Sequence, residues 1–365
     1  MLPIRFDHPI LRSFGIRKPQ VVGFLPYWLM DKADADYSSY LTTLTYFGLA
    51  VDVDGKPIYL TNPQEEEPGW TTLKGDRFTA KREEAKKHNL KTSLLVHSAD
   101  EDKVSELIQN PEIAAHALVS EVAPIMQSRG FTDLNLDIES FLPASDSARA
   151  NYTLFARTVA EDVRKSKLGT VTIEIPPIAL VKKFLIDPFA IGAIADYVVL
   201  MTYDYHYSGS FLAGPVAPIG GAGDVREFDV ETAIAEAVRV IPKEKILLGI
   251  PLYGYQWETL QETLGAATIP GGASTASLRR VAELLKDCPT CKTAMDPVAG
   301  EPVTVFETDD YFNHIYYENE ASMKEKIKLA QKYQLGGIAL WALGYEDAAT
   351  LVPLVAYKRF FLLPR

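Results

Sequence analysis

The feature that most constrains the fold is a regular alternation of short apolar runs with longer amphipathic stretches. Eight runs have the length and the β-branched or apolar composition of buried strands, at 21–27, 41–51, 91–97, 131–139, 170–175, 197–203, 245–251 and 336–342. Helical patterns lie between them, at 80–88, 113–127, 148–164, 230–240 and 321–332. Strands that alternate with helices in this way predict an α/β fold, a (β/α)8 or TIM barrel with a parallel sheet.

A doubly wound open sheet is the structural alternative. Such a sheet normally carries a glycine-rich phosphate loop after its first strand, and Gly-Phe-Leu-Pro at 23–26 is not one. The interval of about eighty residues before the last run is too long for one helix and two loops. Within this interval the pattern predicts a helix at 276–286 and strands at 302–307 and 315–317. We therefore expect three parts: an N-terminal extension at 1–19, a barrel at 20–256 and 321–365, and an α+β insertion at 257–320.

Composition and charge argue against several classes of protein. The formal net charge of -11 disfavours nucleic-acid binding, which needs a concentrated positive surface. No apolar run reaches the roughly 18–20 residues of a membrane span. The first twenty residues lack the apolar segment of a signal peptide. No set of His, Asp and Glu has metal-ligand spacing, so we expect neither a metal nor a cofactor.

Cys288 and Cys291 are the only cysteines of the chain. A single Cys-Pro-Thr-Cys could form a local disulfide, act as a redox pair or remain two thiols, whereas tetrahedral zinc needs more ligands. We favour a structural role for this pair.

The stretch at 130–139 places polar side chains on one face of its predicted strand. Successive side chains of a strand point to opposite faces, so one face is apolar and the other carries Asn135, Asp137 and Glu139. Burying unpaired acids costs several kcal/mol, and an acidic inward face therefore indicates chemistry. A half-exposed antiparallel strand with one wet face is the alternative.

The working residues of a β/α barrel lie at the carboxyl ends of its strands. This rule selects Trp28, His97, Asp137, Glu139, Tyr203, Asp204, Tyr253 and Trp341. Aromatic rings that stack on pyranose faces, beside carboxylates for acid catalysis, suit a sugar substrate. For His97 a satisfied core histidine is favoured over catalysis, and Trp341 could equally fill the barrel core.

The spacing of Asp137 and Glu139 constrains the mechanism. Their Cα atoms are roughly 6.5–7 Å apart on one strand, so the two acids cannot flank a scissile bond from opposite faces. Adjacent carboxylates disfavour double ionisation, which keeps one proton near neutral pH. Glu139, at the strand end, can give that proton to a leaving oxygen. The nucleophile must then come from elsewhere, and a 2-acetamido group of the substrate, oriented by Asp137, can supply it.

These motifs resemble glycoside hydrolase family 18, whose signature is usually written Asp-Gly-x-Asp-x-Asp-x-Glu. Three further motifs reinforce the resemblance: Met-Thr-Tyr-Asp at 201–204, Leu-Gly-Ile-Pro-Leu-Tyr-Gly-Tyr at 248–255 and Gly-Gly-Ile-Ala-Leu-Trp at 336–341. Together they cover about residues 20–350. The resemblance implies that Glu139 is the general acid, that Asp137 positions the N-acetyl group, and that Tyr203 hydrogen-bonds its carbonyl oxygen.

The resemblance also implies substrate-binding residues. Trp341 would be the floor under the sugar next to the cleaved bond, and Trp28 a stacking platform further along the cleft. Asp204 would contact sugar hydroxyls, and Tyr253 and Asn135 complete the expected set.

The chain departs from the family pattern at several positions. Thr132 and Asp133 replace the first Asp and the Gly of the signature, Asn135 replaces the second Asp, and Leu-Val-His-Ser at 95–98 replaces a glycine-rich motif. The change at Asn135 resembles the branch of spore-cortex and cell-wall N-acetylglucosaminidases. It removes a carboxylate, so we expect Asp137 to share a proton only with Glu139. Glu174, on the fifth strand, is an unusual inward acid with no assigned role.

We therefore expect a retaining hydrolase of β-1,4-linked N-acetylglucosamine polymers, acting on chitin or its oligomers. The alternatives are the same chemistry on peptidoglycan or on N-glycan cores, and a non-catalytic sugar-binding barrel. The expected partner is a polysaccharide that contains N-acetylglucosamine, bound by a monomer. The resemblance favours an extracellular or cell-envelope location.

Overall fold

The computed structural model of the protein describes residues 17–223, 227–308 and 310–360. The strands, in chain order, are β1 (Gln20–Pro26), β2 (Thr43–Ala50), β3 (Leu60–Asn62), β4 (Glu65–Glu66), β5 (Lys91–Ser98), β6 (Asp133–Ile138), β7 (Thr170–Ile175), β8 (Tyr197–Leu200), β9 (Ile246–Pro251), β10 (Tyr253–Thr259), β11 (Thr268–Ser277), β12 (Lys292–Met295), β13 (Pro302–Thr308), β14 (Tyr311–Tyr316) and β15 (Gly337–Trp341). Eight of these strands close into a parallel barrel in the order β1-β15-β9-β8-β7-β6-β5-β2. This closure confirms the predicted (β/α)8 barrel, and each of the eight predicted runs contains or closely overlaps one barrel strand.

Helices accompany the strands along the chain. They are α1 (Pro68–Lys74), α2 (Asp76–Lys87), α3 (Glu101–Leu107), α4 (Pro111–Arg129), α5 (Asp146–Lys165), α6 (Pro188–Ile194), α7 (Val230–Val240), α8 (Leu278–Lys286), α9 (Glu320–Lys332) and α10 (Ala348–Tyr357). Each of the five predicted helical patterns lies within or closely overlaps one of them. The predicted N-terminal extension falls mostly on residues 1–16, which lie outside the described residues, as do the last five residues of the predicted barrel.

Local sequence signals define the entry into and the exit from β6, the strand that carries the acidic ladder. Helix α4 ends at Gly130, which adopts φ 72 in the left-handed region that glycine tolerates, and this turns the chain toward β6. After β6, the Ser145 hydroxyl accepts a hydrogen bond from the backbone N–H of Ala148 and begins α5. Every residue of β6 is buried, as expected for a strand with side chains inside the barrel and helices outside.

The interval between β9 and β15 contains a second sheet. This five-stranded sheet has the order β11-β10-β14-β13-β12, its strand pairs are antiparallel, and α8 connects β11 to β12. The predicted helix and both predicted strands of the insertion are present, whereas β10, β11 and β12 were not predicted. Cys288 and Cys291 form a disulfide just after α8, one of the alternatives that the sequence left open. The domain limits at 257 and 320 stay a prediction.

A buried ion cluster, which we call the Lys326 cluster, ties this second sheet to the barrel. It consists of Lys326 on α9 together with Glu301 and Glu318, and all three side chains are almost completely buried. The Lys326 ammonium contacts both carboxylates. Glu301 also accepts hydrogen bonds from the backbone N–H groups of Val216, at 2.8 Å, and Ala217, at 2.5 Å. The cluster therefore fixes the segment that follows β8, which leads away from the carboxyl end of the barrel.

Candidate active site

A cavity of about 490 Å³ opens at the carboxyl ends of the barrel strands. It has the size of a small-molecule or sugar site, and apolar and aromatic groups dominate its lining. Five of the residues selected from the sequence line it: Asp137, Glu139, Tyr203, Asp204 and Trp341. The rule that places working residues at strand ends thus selected residues that the fold brings together from β6, β8 and β15.

The inward face of β6 begins with an acid whose hydrogen bonds are satisfied. Asp133 accepts hydrogen bonds from the hydroxyls of Ser93 and Thr170, both at 2.6 Å, and from the Thr172 hydroxyl at 3.0 Å. Burial nevertheless raises the pKa of Asp133 to about 6. Asn135 follows one step along the ladder. It is 1% exposed, lies beneath the cavity rather than in its wall, and neither of its side-chain polar atoms has a hydrogen-bond partner in the described part of the chain.

Asp137 and Glu139 complete the ladder and stand side by side on one wall of the cavity. Burial, and then the charge of the neighbouring Glu139, raise the pKa of Asp137 well above its usual range. Burial also raises the pKa of Glu139 to about 7; a hydrogen bond with the Asp137 side chain lowers this pKa and the Asp204 charge raises it. The two carboxyls interact, and their raised pKa values favour retention of a proton by this pair to higher pH than isolated carboxyls would retain one. General acid catalysis uses a retained proton of this kind.

Glu174 adds a third carboxyl to this wall from the neighbouring strand β7. Leu136 pairs with Ile173, so residues 137 and 174 follow at the same level of two adjacent parallel strands. Glu174 lines the cavity, is 4% exposed, and neither of its carboxyl oxygens has a hydrogen-bond partner among the described residues. Asp137, Glu139 and Glu174 are called the pocket acids below. Contrary to the expectation from the sequence, Asp137 therefore has a second carboxyl neighbour besides Glu139.

Tyr203 and Asp204 lie in a turn that follows β8, which ends earlier than the predicted run at 197–203. The strand stops at Leu200, and Asp204 adopts φ 60 in the left-handed region, which aspartate tolerates better than most residues. Gly249 makes room for this turn, since a Cβ there would lie 2.3 Å from the Leu200 carbonyl oxygen. Burial and the nearby acids raise the pKa of Tyr203 well above its usual range. The hydroxyl therefore keeps its proton and can donate a hydrogen bond.

Two tyrosines of the second sheet hold Asp204 in place. The hydroxyls of Tyr253 and Tyr255 donate to the same carboxylate oxygen, Oδ1, at 2.5 and 3.2 Å. Burial raises the pKa of Asp204, and these two hydrogen bonds lower it. Tyr253 is buried behind Asp204 and does not line the cavity. Its part in the site is therefore to orient Asp204.

An aromatic cluster forms the floor and one edge of the cavity. The Trp341 ring packs against Phe47 and Phe24, with ring centroids 4.9 and 5.8 Å away. Trp28 lies further out, 47% exposed, with its ring 6.3 Å from Trp341 at an angle of 66°. His97 stacks on Phe47 at 4.5 Å, and burial lowers its pKa to about 4, so it is neutral at neutral pH. This placement agrees with the interpretation of His97 as a core histidine.

Sequence reasoning missed several residues that line the cavity. Phe141 follows β6, Met201 and Tyr205 follow β8, and Phe228 precedes α7. Met201 is the first residue of the Met-Thr-Tyr-Asp motif and Tyr205 follows that motif directly, so both could have been selected with it. No periodicity points to Phe141 or Phe228, because both lie on loops that the fold brings together.

Comparison with known proteins identifies the family. The family model described as "Glycosyl hydrolases family 18" matches residues 20–346. The chain belongs to this family. The resemblance inferred from the four motifs is confirmed, and the match includes the second sheet as well as the eight barrel strands.

Several relatives of this family 18 member are known. It is 29% identical over 258 residues to the cortical fragment-lytic enzyme of Bacillus subtilis, covering 68% of this chain and 55% of that protein. The chain thus spans about half the length of that relative. The structure of the spore cortex-lytic enzyme SleL of Bacillus megaterium superposes with a TM-score of 0.73 at 21% identity, covering 94% of this chain and 74% of SleL.

A chitinase domain also superposes over nearly the whole chain. Catalytic domain 2 of the Group II chitinase of Ostrinia furnacalis gives a TM-score of 0.81 at 18% identity, covering 96% of this chain and 98% of that domain. At such identities these two structural likenesses establish the shared fold of the family 18 barrel and no more.

Proposed function

We propose that this protein is a retaining glycoside hydrolase that cleaves β-1,4 linkages of N-acetylglucosamine polymers by substrate-assisted catalysis, with Glu139 as the general acid. The observation that carries the proposal is the placement of Asp137 and Glu139. Both stand on one wall of the cavity, at the end of one strand, and both have raised pKa values. The family membership of the chain supports the same chemistry.

This placement favours a nucleophile that belongs to the substrate. In a conventional retaining enzyme two carboxyls flank the scissile bond from opposite faces. Asp137 and Glu139 share one wall and cannot do so. Asp204, which lines another part of the cavity, has its Oδ1 held by two tyrosine hydroxyls. An acetamido oxygen of the substrate is then the group best placed to attack the anomeric carbon.

The proposed first step divides the work among three side chains. Glu139 gives its proton to the glycosidic oxygen as the bond to the anomeric carbon breaks, and the acetamide carbonyl oxygen forms a new bond to that carbon. The Asp137 carboxylate accepts a hydrogen bond from the acetamide N–H. It also stabilises the positive charge that develops on the five-membered ring formed by the acetamide and the sugar. The Tyr203 hydroxyl, which keeps its proton, donates to the acetamide oxygen and aligns it.

The proposed second step restores the enzyme. Glu139, now a carboxylate, accepts a proton from a water molecule that attacks the anomeric carbon and reopens the ring. Two inversions at that carbon give net retention. Trp341 would support the sugar at the cleaved bond, Trp28 a sugar further along the cleft, and Asp204 would bind sugar hydroxyls.

Chitin and its oligomers are the first candidate substrate. The aromatic floor of the cavity and the acids in its wall suit an unsubstituted chain of N-acetylglucosamine. Peptidoglycan is the second candidate. It is favoured by relatives whose names describe lysis of the spore cortex. The presence of both Asp137 and Glu139 argues against a non-catalytic sugar-binding barrel.

None of the helices within the described residues has the length and apolar character of a membrane span.

Incubation of the protein with chitin hexamer, purified peptidoglycan and an N-glycan core, followed by mass spectrometry, separates these substrates. Shorter oligomers from the hexamer would support chitin as the substrate, and muropeptides cut beside N-acetylglucosamine would support peptidoglycan. Absence of product from all three substrates, with the Glu139→Gln variant as the background control, would refute the hydrolase. A thiazoline analogue of cyclised N-acetylglucosamine should inhibit the enzyme, because it mimics the proposed intermediate. Lack of inhibition in an active enzyme would refute substrate assistance.

A further inference from the structure

The proposed reaction uses Asp137 and Glu139 but leaves Glu174 without a part. Glu174 is a buried acid in the wall of the cavity, and an acid buried there without a hydrogen-bond partner lowers the stability of the fold. The sequence offers a reason for its presence. Asn135 stands where the family signature has an aspartate, so strand β6 carries one carboxyl fewer than expected. Strand β7 supplies one at the level of Asp137.

The surroundings of Glu174 favour its protonated form. Burial is the main cause that raises the pKa of Glu174 well above its usual range, followed by the charge of Asp137, while the nearby Asn135 amide lowers it. The titratable groups that act on Glu174 or respond to it come from three elements: Asp133, Asp137 and Glu139 on and after β6, Tyr152 on α5, and Tyr203 after β8. All of them are acids or phenols, so every charge among them is negative. A neutral carboxyl relieves this repulsion and offers one O–H donor.

We propose that Glu174 is a positioning residue: it keeps its carboxyl proton at neutral pH and donates it in a hydrogen bond to the Asp137 carboxylate, so that strand β7 supplies the acid that strand β6 lacks at Asn135. The proton stays on Glu174 throughout, and no bond to substrate is made or broken by it. This inference rests on the proposed function, because its purpose is to hold Asp137 ionised and oriented toward the acetamide.

The geometry makes Asp137 the recipient. Residues in register on adjacent parallel strands are about 4.8 Å apart at Cα and point to the same face, so the two side chains leave the barrel wall together. Oδ1 of Asp137 is buried and has no hydrogen-bond partner in the described part of the chain. Both carboxyl oxygens of Glu174 are in the same condition. The two side chains therefore leave neighbouring strands with unsatisfied oxygens, and a protonated Glu174 supplies the donor that the Asp137 oxygen lacks.

Two variants at this position separate the donor from the charge. Glu174→Gln keeps a neutral side chain and an N–H donor, whereas Glu174→Leu has a similar volume and no donor. Thr172→Val is the matched control, because Thr172 points inward on the same strand one step below and does not line the cavity. The measurement is the pH dependence of kcat and kcat/KM on chito-oligosaccharide for these variants and the wild type.

The expected result has a definite sign. Without the donor the Asp137 carboxylate is less stable, its pKa rises, and the acidic limb of kcat/KM in Glu174→Leu moves up by about one pH unit. In that variant kcat falls about tenfold and KM changes less than about twofold. Glu174→Gln loses less than about threefold, because its amide still donates. The profile of Thr172→Val should coincide with that of the wild type.

Three outcomes would overturn the inference. One is a Glu174→Leu profile that coincides with the wild type, and another is an equal shift in Thr172→Val. The third is a downward shift of the alkaline limb in Glu174→Gln. That shift would mean that Glu174 is normally an anion whose charge helps Glu139 to keep its proton.

A second measurement tests the inference without any need for catalytic activity. Inactivity of the protein on every substrate would refute the proposed function but would leave this measurement possible. A carboxyl whose pKa is raised in the folded state keeps its full contribution to stability below its unfolded pKa, and that contribution is lost as pH rises toward its folded pKa. The ratio of the unfolding constants of wild type and Glu174→Gln should therefore grow by up to about tenfold per pH unit above pH ~4.3. Urea unfolding between pH 5 and 8 measures this ratio. In an Asp137→Asn background the ratio should stop growing at a lower pH, because the charge of Asp137 no longer raises the pKa of Glu174. A ratio that does not change with pH overturns the inference.

Discussion

The Lys326 cluster and the pocket acids are both groups of buried carboxyls, and the molecule balances them by different means. In the Lys326 cluster, Glu301 and Glu318 face an ammonium group, and Glu301 also accepts hydrogen bonds from two backbone N–H groups. The pocket acids face one another. Oδ1 of Asp137 and both carboxyl oxygens of Glu174 have no hydrogen-bond partner among the residues that the structure describes. A cation and hydrogen bonds stabilise the first group, although burial still raises the pKa of Glu301 to about 8, whereas the second group has no cation and depends on retained protons.

The same contrast is present within strand β6. Asp133 accepts hydrogen bonds from three hydroxyls, whereas Asp137, two inward positions further along, has a buried oxygen with none. A satisfied acid contributes to the barrel interior, and an unsatisfied one at a cavity wall is available for chemistry. Burial alone therefore does not distinguish the proposed catalytic acids from Asp133; the supply of hydrogen-bond donors does.

The largest expected effect is on turnover in Glu139→Gln. The amide keeps the shape of the side chain but cannot protonate the leaving oxygen, so kcat should fall by about 10³-fold or more. Binding of an uncleaved oligosaccharide, measured by calorimetry, should remain within a few-fold of the wild type. Asp133→Asn is the matched control on the same strand and should lose stability but retain turnover. Equal turnover in Glu139→Gln and wild type would remove Glu139 from the acid role.

The next effect tests the other side of the comparison. Lys326→Met leaves Glu301 and Glu318 buried without their cation, and should lower the free energy of unfolding by about 3–5 kcal/mol. Lys324→Met on the same helix removes an exposed pair with Glu320 and should change that free energy by less than about 1 kcal/mol. Urea unfolding measures both. Similar losses in the two variants would mean that the buried cluster is not balanced by its lysine.

A smaller effect concerns the pH dependence of the wild type. Because the pKa of Glu139 is raised to about 7, its acid form persists well above the ordinary range of a glutamic acid. The value of kcat/KM should therefore hold to about pH 7 and fall about tenfold per unit above it. A steady-state profile on a soluble oligosaccharide checks this. An alkaline limb centred near pH 5 would show that the pocket acids do not retain their protons.

The smallest expected effect is at Trp28, which lies outside both groups of acids. Trp28→Ala removes an exposed ring at the edge of the aromatic cluster and should raise KM about three- to tenfold for long oligomers, with little change in kcat. A trimer too short to reach this ring serves as the control and should be cleaved as by the wild type. A large loss of kcat would instead place Trp28 at the reacting sugar.

The barrel and its acidic ladder could be predicted because both depend on local periodicity. Alternation with a period of two placed Asn135, Asp137 and Glu139 on one face of a strand, and strand ends placed Tyr203 and Trp341 at the mouth. Strands β10, β11 and β12 could not be predicted in the same way. β11 is rich in glycine, serine and threonine and largely exposed, so its pairing comes from neighbours and not from its own pattern.

The remaining features of the site depend on contacts between distant segments. That Glu174 faces Asp137 follows from the register of β6 and β7, which the sequence of either strand alone does not give. The role of Tyr253 depends on the left-handed turn at Asp204, by which two segments about fifty residues apart meet. Phe141 and Phe228 reach the cavity only through the paths of their loops.

The hydrogen bonds that the backbone N–H groups of Val216 and Ala217 donate to Glu301 bear on any attempt to exchange parts of this protein. They join the second sheet to the very segment that begins with Asp204, and Tyr253, the first residue of that sheet, holds the same aspartate. A chimera that received the second sheet of a relative, from Tyr253 to Tyr316, would lose Tyr253 and Glu301, the two anchors of residues 204–217, so that segment would have to be exchanged with it. The two pieces are separate in the chain, and they would have to be inherited as one unit.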